Sequence, residues 1–411
     1  NLYPGAPELC DDTRNDCTLA SWTVANEAGT ASFVDGFGDL MDITASVTGT
    51  AAVPAEFTST GSGTLNFCEG TFYTRIVAEH NLTIIGKQGS AKTILNGPGG
   101  PVISADTVTL TIQGLTLTAG TGHVATTRTE GGAIYAYAAT ITTDDTILVA
   151  NTAEVGGAVY ARDATLTINN SVWTNNTATD RGAGLYSVDS DTAFDVVNIS
   201  SNTATNSGGA VNASGSTLTA STWTVQDNTG VGGGGIYLWD TTVNLSDTSF
   251  KGNLSTTRGG ATYLRGASSF ICDSCTFEGN TADIAGAGMY IDESSAELTD
   301  AVVTGQLGTS ALAVGQDASL DLQRPLISGN ATDGVKLYDN ASFTCVGTTA
   351  DTFGSVSNGG YGVHIDYWAE DTAVVSLTLC DLGESTNANT LGALYSRTEL
   401  IALGNNVTGT Y

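Results

Sequence analysis

A short glycine-rich phrase returns at a nearly constant interval through the middle of this 411-residue chain. It reads GGAIY ending at Tyr135, GGAVY at Tyr160, GAGLY at Tyr186, GGAVN at Asn212, GGGIY at Tyr237, GGATY at Tyr263 and GAGMY at Tyr290. Successive copies lie 25 to 27 residues apart, with weaker echoes at Tyr338 and His364. A second column keeps the same period: Asn151, Asn176, Asn202, Asn228, Asn253 and Asn280, each three residues after a large apolar residue such as Leu148, Trp173 or Phe277. The next two steps land on Gln306 and Asn330, an amide each time.

Between these phrases lie alternating runs such as TLTIN (Thr165 to Asn169) and TVNLS (Thr242 to Ser246). Period 2, β-branched residues and flanking turn residues predict strands, and no 3.6-residue apolar stripe competes. A repeat holding short strands and no helix is one coil of a β-solenoid. Successive coils pair at roughly 4.8 Å, the interstrand spacing. Stacking in register sets like residues above like, so the amides from Asn151 to Asn330 form a ladder inside a turn. Such a ladder satisfies turn backbone groups that would otherwise be buried without partners.

The residue before each column tyrosine is almost always apolar (Ile134, Val159, Leu185, Ile236, Met289) and is expected to point inward. Alternation then turns the tyrosine column outward. The glycine pairs supply positive φ or a close backbone approach at the corner before that strand.

The phrase apolar-x-x-Asn followed by Gly-Gly-Ala-apolar resembles the repeats of polymorphic outer-membrane proteins and autotransporter passengers, over roughly residues 131–340. Upstream, GTLNFCEGTFYTRIVAEHNLTIIGKQGSAKTILNG (Gly63 to Gly97) resembles the opening coils of pectate-lyase-like proteins. These resemblances imply an all-β chain: one right-handed parallel β-helix over 31–411, with 1–30 as a disulfide-closed cap or tail. At the repeat length, that is about fourteen coils and a rod of roughly 65 Å. The stretch YPGAPELCDDTRNDC (Tyr3 to Cys17) resembles the metal-binding motif of MopE-type surface proteins, although Arg14 interrupts its acidic run and Thr18 follows the second cysteine. That resemblance implies a cation site at Asp11, Asp12 and Asp16, whose hard oxygens suit calcium.

Acidic residues outnumber basic ones 42 to 13, a net charge of −29. Such a chain cannot neutralise a phosphate backbone, which excludes nucleic acid as a partner, and the same deficit argues against an anionic membrane surface. An apolar fraction of 41% sets it apart from a disordered acidic tail. No apolar run is long enough to span a bilayer, and the missing basic-plus-apolar leader is expected of a processed form or a fragment.

Seven cysteines point to an oxidising compartment and a secreted location. Cys10 and Cys17 enclose a short polar loop and can pair. Cys272 and Cys275 can pair only across a turn, because residues i and i+3 of a strand face opposite sides. Cys345 and Cys380 meet if successive coils stack. Cys68 is left over, either buried and inert or an intermolecular thiol.

Catalytic patterns are sparse. Asp144 and Asp145 are adjacent and face opposite sides of a strand unless a turn intervenes, so they are poorly placed to flank one glycosidic bond. His80 and His123 read as surface or loop residues, and no P-loop, GxSxG or HExxH phrase occurs. Asp189, Asp191 and Asp195 read as solvated turn acids. The outward column is more informative: Tyr237, Trp239, Tyr263, Arg265, Tyr290 and Asp292 fall on one side of three successive coils and are expected to form a binding face for a glycan or a protein.

The expected function is therefore a non-catalytic, secreted or cell-surface β-helix, adhesin-like or the subunit of an extracellular fibre. Its open ends would let it self-assemble end to end. The alternatives are a carbohydrate-active lyase or hydrolase, and a passive calcium-binding coat component.

Overall fold

Runs such as Ile134–Tyr137, Val159–Arg162 and Leu185–Val188 adopt the extended backbone their alternation calls for. The computed structural model describes residues 28–347, 354–366, 373–380 and 392–395, with backbone only for 354–356 and 392–395. The described chain is a right-handed parallel β-helix of about 11 turns, with one four-residue helix at Thr44–Val47. It divides into two compact units, one of residues 1–179 with 183–192, the other of residues 180–182 with 193–411.

In the first unit, inward Ile76, Ile103, Ile134, Val159 and Leu185 lie in register on successive parallel strands. Each is at most 1% exposed. A second sheet carries ten-residue strands at Thr109–Thr118, Thr140–Val149 and Thr165–Thr174. Each strand bends at a residue of positive φ: Gly114, Asp145 and Asn170. A third, shorter sheet closes the coil and includes Arg128–Glu130 and Thr152–Val155. The second unit repeats this plan, with interior aromatics stacked coil on coil: Phe194 on Trp223 at 4.7 Å, and Phe250 on Phe277 at 4.9 Å. Burying a large apolar side chain stabilises by about 1.5–3 kcal/mol, so these interior files are a main source of cohesion.

The glycine pair divides its labour. Gly156 has φ +66°, and a Cβ there would lie 2.4 Å from the Val159 carbonyl oxygen. Its counterparts Gly131, Gly208, Gly259 and Gly286 share that left-handed conformation. The following position is a close approach: a Cβ on Gly132 would lie 2.1 Å from the Gly157 oxygen.

The fold departs from the expected one in several places. The described residues make about 11 turns, against the fourteen coils expected of 31–411. Residues 31–42 form an antiparallel pair, Ala31–Asp35 with Leu40–Asp42, and Ala31–Asp35 also runs antiparallel to Gly63–Phe67. The coil between Ile103 and Ile134 is also lengthened by an antiparallel hairpin, His123–Ala125 with Arg128–Glu130. The tyrosine column also continues differently: Tyr290 pairs with Ala313, Ala313 with Lys336 and Lys336 with His364. Tyr338 stands two residues further along that strand, on the same side.

Cys345 pairs with Cys380, as coil stacking allows. Cys272 pairs with Cys275 across a corner where Ser274 takes φ 59°, the turn that this pairing requires. Cys68 is fully buried and disulfide-bonded, which corrects the reading of it as an unpaired thiol. Cys10, Cys17, Asp11, Asp12 and Asp16 lie outside the described residues. No described helix is long and apolar enough to cross a membrane.

Candidate functional site

The amide file anchors the coil corners. In the first unit Asn151 Nδ2 and its backbone N–H both donate to Asn176 Oδ1 at 3.0 Å. In the second, Asn202 donates to Asn228, Asn228 to Asn253 and Asn253 to Asn280, each side-chain bond at 3.0 or 3.1 Å. The backbone N–H of Asn280 donates to Gln306 Oε1, and that of Gln306 to Asn330 Oδ1. Most of these amide nitrogens also donate to a carbonyl one coil back, as Asn253 does to Val225 and Asn280 to Phe250, while Asn202 donates to Ser200. Every member is at most 3% exposed. The file runs on to Asn358, which accepts from Asn330 at 2.8 Å. This is architecture, in which buried amides complete their hydrogen bonds on one another.

The outward tyrosines form a second file, and the short third sheet stands over it as a wall. In the first unit His123, Tyr135, Tyr160 and Tyr186 stack in sequence, with ring centroids 4.4, 5.5 and 5.8 Å apart. Val155 from the wall packs on Tyr160 and Tyr186, and the Arg128 guanidinium lies over both rings. Arg128 is held at 2.8 Å by Glu130, itself nearly buried. Burial, reinforced by the charge of Glu130, pushes the Tyr135 phenol up to about 12. Burial likewise raises Tyr160, although Arg128 pulls the other way.

In the second unit the file is Tyr237, Tyr263 and Tyr290, with edge-on contacts at 5.3 and 5.1 Å. Ala285 from the wall packs against it, and Arg258 lies 5.1 Å above the Tyr290 ring. Burial pushes Tyr290 up to about 12, with Arg258 opposing and Asp292 adding to the rise. Beside this file stand Trp239, Arg265 and Asp292. Arg265 sits 5.2 Å from the Trp239 ring and is bound to Asp292 at 3.2 Å.

The six residues expected to make a binding face thus lie together on one sheet, but they are not equally accessible. Trp239 is 39% exposed, whereas Tyr263 and Tyr290 are each 7% exposed. Alternation places those tyrosines outside the coil; the wall then covers them.

Two clusters escaped the sequence reading. Lys336 lies over the Tyr338 ring at 5.1 Å and pairs with Asp366 at 2.9 Å. Next to Lys336 in register, His364 Nδ1 meets Asp333 Oδ2 at 2.6 Å, while Asp333 Oδ1 accepts the Tyr361 backbone N–H. Apart from the local contact of Lys336 with Tyr338, the partners are 28 to 31 apart in sequence, and no local phrase announces them.

The remaining acids are engaged separately. Asp145 takes the positive-φ corner and binds Ser90, while Asp144 accepts from Asn170, so the adjacent pair does not act on one point. Asp195 accepts from Ser221. Among the described residues, no three His, Cys, Asp or Glu side chains are grouped to hold a metal ion.

Fold and face together define a right-handed parallel β-helix with a walled aromatic side. Residues 156–324 match the family of right-handed β-helix regions. Among solved structures, tailspike protein 3 of bacteriophage CBA120 is similar at 14% identity, covering 87% of this chain and 57% of that one, with a TM-score of 0.39. The chain therefore spans little more than half of that protein. The periplasmic alginate epimerase AlgG is similar at 11% identity over 83% of each chain, with a TM-score of 0.36. The A-module of the Azotobacter vinelandii mannuronan C-5 epimerase AlgE6 follows at 13% identity, 82% of this chain and 92% of that one, with a TM-score of 0.27. No curated protein matches the chain. At these identities the likeness is one of fold alone, and no residue role is carried over from it.

Proposed function

We propose that this chain is a non-catalytic, secreted or cell-surface β-helix of the adhesin-like kind that binds a glycan along its walled aromatic side. One observation carries the reading: an exposed indole, Trp239, is held on a rigid parallel strand beside the bound pair Arg265 and Asp292. A fixed aromatic surface with polar groups at its margin suits the apolar face of a sugar ring and the hydroxyls around it. The disulfides support an oxidising compartment outside the cytosol, in keeping with an autotransporter-passenger role. A glycan array probed with the native chain and with Trp239→Ala tests the reading. Binding that falls at least ~10-fold in a folded variant supports it, as expected for a buried aromatic contact; equal binding by the two proteins would remove it.

Two features favour variants of this reading. The strand Leu40–Asp42 is exposed at all three residues and, among the described residues, pairs with Ala31–Asp35 alone, an edge suited to end-to-end assembly. Electron microscopy at high protein concentration tests that version, and short monodisperse rods would count against it. The Asp333–His364 pair favours the enzymatic alternative, because a carboxylate that fixes one imidazole nitrogen is an acid–base arrangement. Saturable cleavage of any polysaccharide, lost in His364→Ala, would establish it.

A further inference from the structure

With 42 acids to 13 bases, a surface cation in this chain readily finds a carboxylate. Arg75 holds Glu56 at 2.7 Å, Arg265 holds Asp292 at 3.2 Å and Lys336 holds Asp366 at 2.9 Å. Arg258 departs from this pattern: among the described residues it has no carboxylate at ion-pair distance, it lies against a phenol ring, and Asp292 acts on it only from further off. It stands on the bridge to Ala285, beside the wall, and lies 5.1 Å from the centre of the Tyr290 ring. Tyr338 is 6.4 Å from Tyr290 and has Lys336, itself paired with Asp366, 5.1 Å from its ring centre. Arg258 thus stands among aromatic rings as a cation with no paired carboxylate among the described residues, in a protein of net charge −29.

From this juxtaposition we infer that Arg258, seated over the Tyr290 ring and near the partly exposed Tyr338, forms a subsite for an oxyanion carried on a glycan, a carboxylate or a sulfate ester. The inference rests on the glycan-binding reading and adds the charge of the sugar. A guanidinium seated over a ring spends its face and keeps its N–H edges, whose fork matches carboxylate and sulfate oxygens. The phenol of the partly exposed Tyr338, protonated at neutral pH, adds a further donor. The charge of Arg258, which no described carboxylate pairs, also locally offsets the repulsion that a strongly acidic protein exerts on an anionic ligand. A glycan is preferred to an acidic peptide because exposed Trp239 lies on the same sheet, two residues beyond the tyrosine file, and supplies a stacking surface.

The test uses an array on which each neutral glycan backbone is matched by a uronate-bearing and a sulfated form, with a polyglutamate peptide alongside. The native chain should bind the acidic forms at least ~10-fold better than their neutral partners, the gain expected of one charge-assisted bond. The two acidic arms identify which oxyanion is taken. In Arg258→Gln that ratio should fall to about one, and Arg258→Lys should keep part of it. Because Arg258 also packs on Tyr290, thermal melts of both variants accompany the array. If Arg258→Gln fails to fold, the native preference must instead fall steeply between low and high salt. A native chain that binds neutral and acidic forms alike overturns the subsite while leaving glycan binding intact. So does an acidic preference that survives Arg258→Gln. A chain that binds no glycan ends both readings, and preference for polyglutamate over every glycan makes the ligand a protein.

Discussion

Asn228 and Asn253 share one oxygen: Oδ1 of Asn253 accepts both the side-chain amide and the backbone N–H of Asn228, each at 3.1 Å. The side-chain nitrogen of Asn253 returns to the Val225 carbonyl at 2.8 Å, so one buried amide closes three polar groups of the previous coil. Replacing Asn253 by Ala leaves the Asn228 N–H and the Val225 oxygen without partners in a site closed to water. At about 1–3 kcal/mol for each stranded group, Asn253→Ala should cost about 2–6 kcal/mol. Equilibrium urea unfolding measures this. Asn253→Gln should cost less, since Gln306 already serves in the file.

Two left-handed glycines should respond differently to alanine. Gly156 (φ +66°) faces the Val159 oxygen at 2.4 Å from a built Cβ, whereas Gly279 (φ +61°) has open space. Gly279→Ala should cost about 1–2 kcal/mol, the backbone term alone. Gly156→Ala should cost clearly more, because the corner itself must move. Parallel denaturation curves of the two variants decide the matter.

Alkaline pH should weaken the walled face. Tyr135 and Tyr290 are pushed up to about 12 when folded, against about 10 for a free phenol. The folded state therefore holds these protons more tightly. The stabilisation linked to them is complete below pH ~10 and is lost as pH rises through about 12. Tyrosinate absorbance should show a late-titrating class of phenols, and melting temperature should drop across the same window. A single transition near pH 10 would contradict the burial of these rings.

Two of the disulfides should differ in worth. Cys345–Cys380 spans 35 residues and Cys272–Cys275 spans 3. Loop-closure entropy assigns about 4 kcal/mol to the first and about 2 kcal/mol to the second. Paired Cys→Ser variants, unfolded in urea without reductant, should fall in that order.

The two columns were legible in the sequence because both keep one period, and a shared period fixes stacking without any knowledge of contacts. Asn358 was missed because it follows Asn330 by 28 residues, a longer step than those before it. Tyr338 was placed in the tyrosine column by counting steps of 24, but the two coils after Tyr290 advance by 23 each. The count arrived two residues late and, since alternation has period 2, still on the correct face. Burial of Tyr263 and Tyr290 was not legible. Alternation says which side of a strand a side chain leaves, and it is silent on what a neighbouring sheet lays over it. Arg258 and Ala285 do this from the wall, and nothing local to the tyrosines foretells them. The Asp333–His364 contact is hidden for the same reason, since it joins two coils at a place where the repeat has faded.

The amide file has a direction. Each member gives its hydrogens to the oxygen of the one that follows, so Asn228, Asn253 and Asn280 are interchangeable links with a leading and a trailing end. A chain built this way can change length in whole links. Excising one turn between equivalent corners of the second unit joins a donor to an acceptor of the same kind, as does duplicating one, whereas a cut of half a turn leaves mismatched ends. Protein length would then vary among natural variants in quanta of one coil.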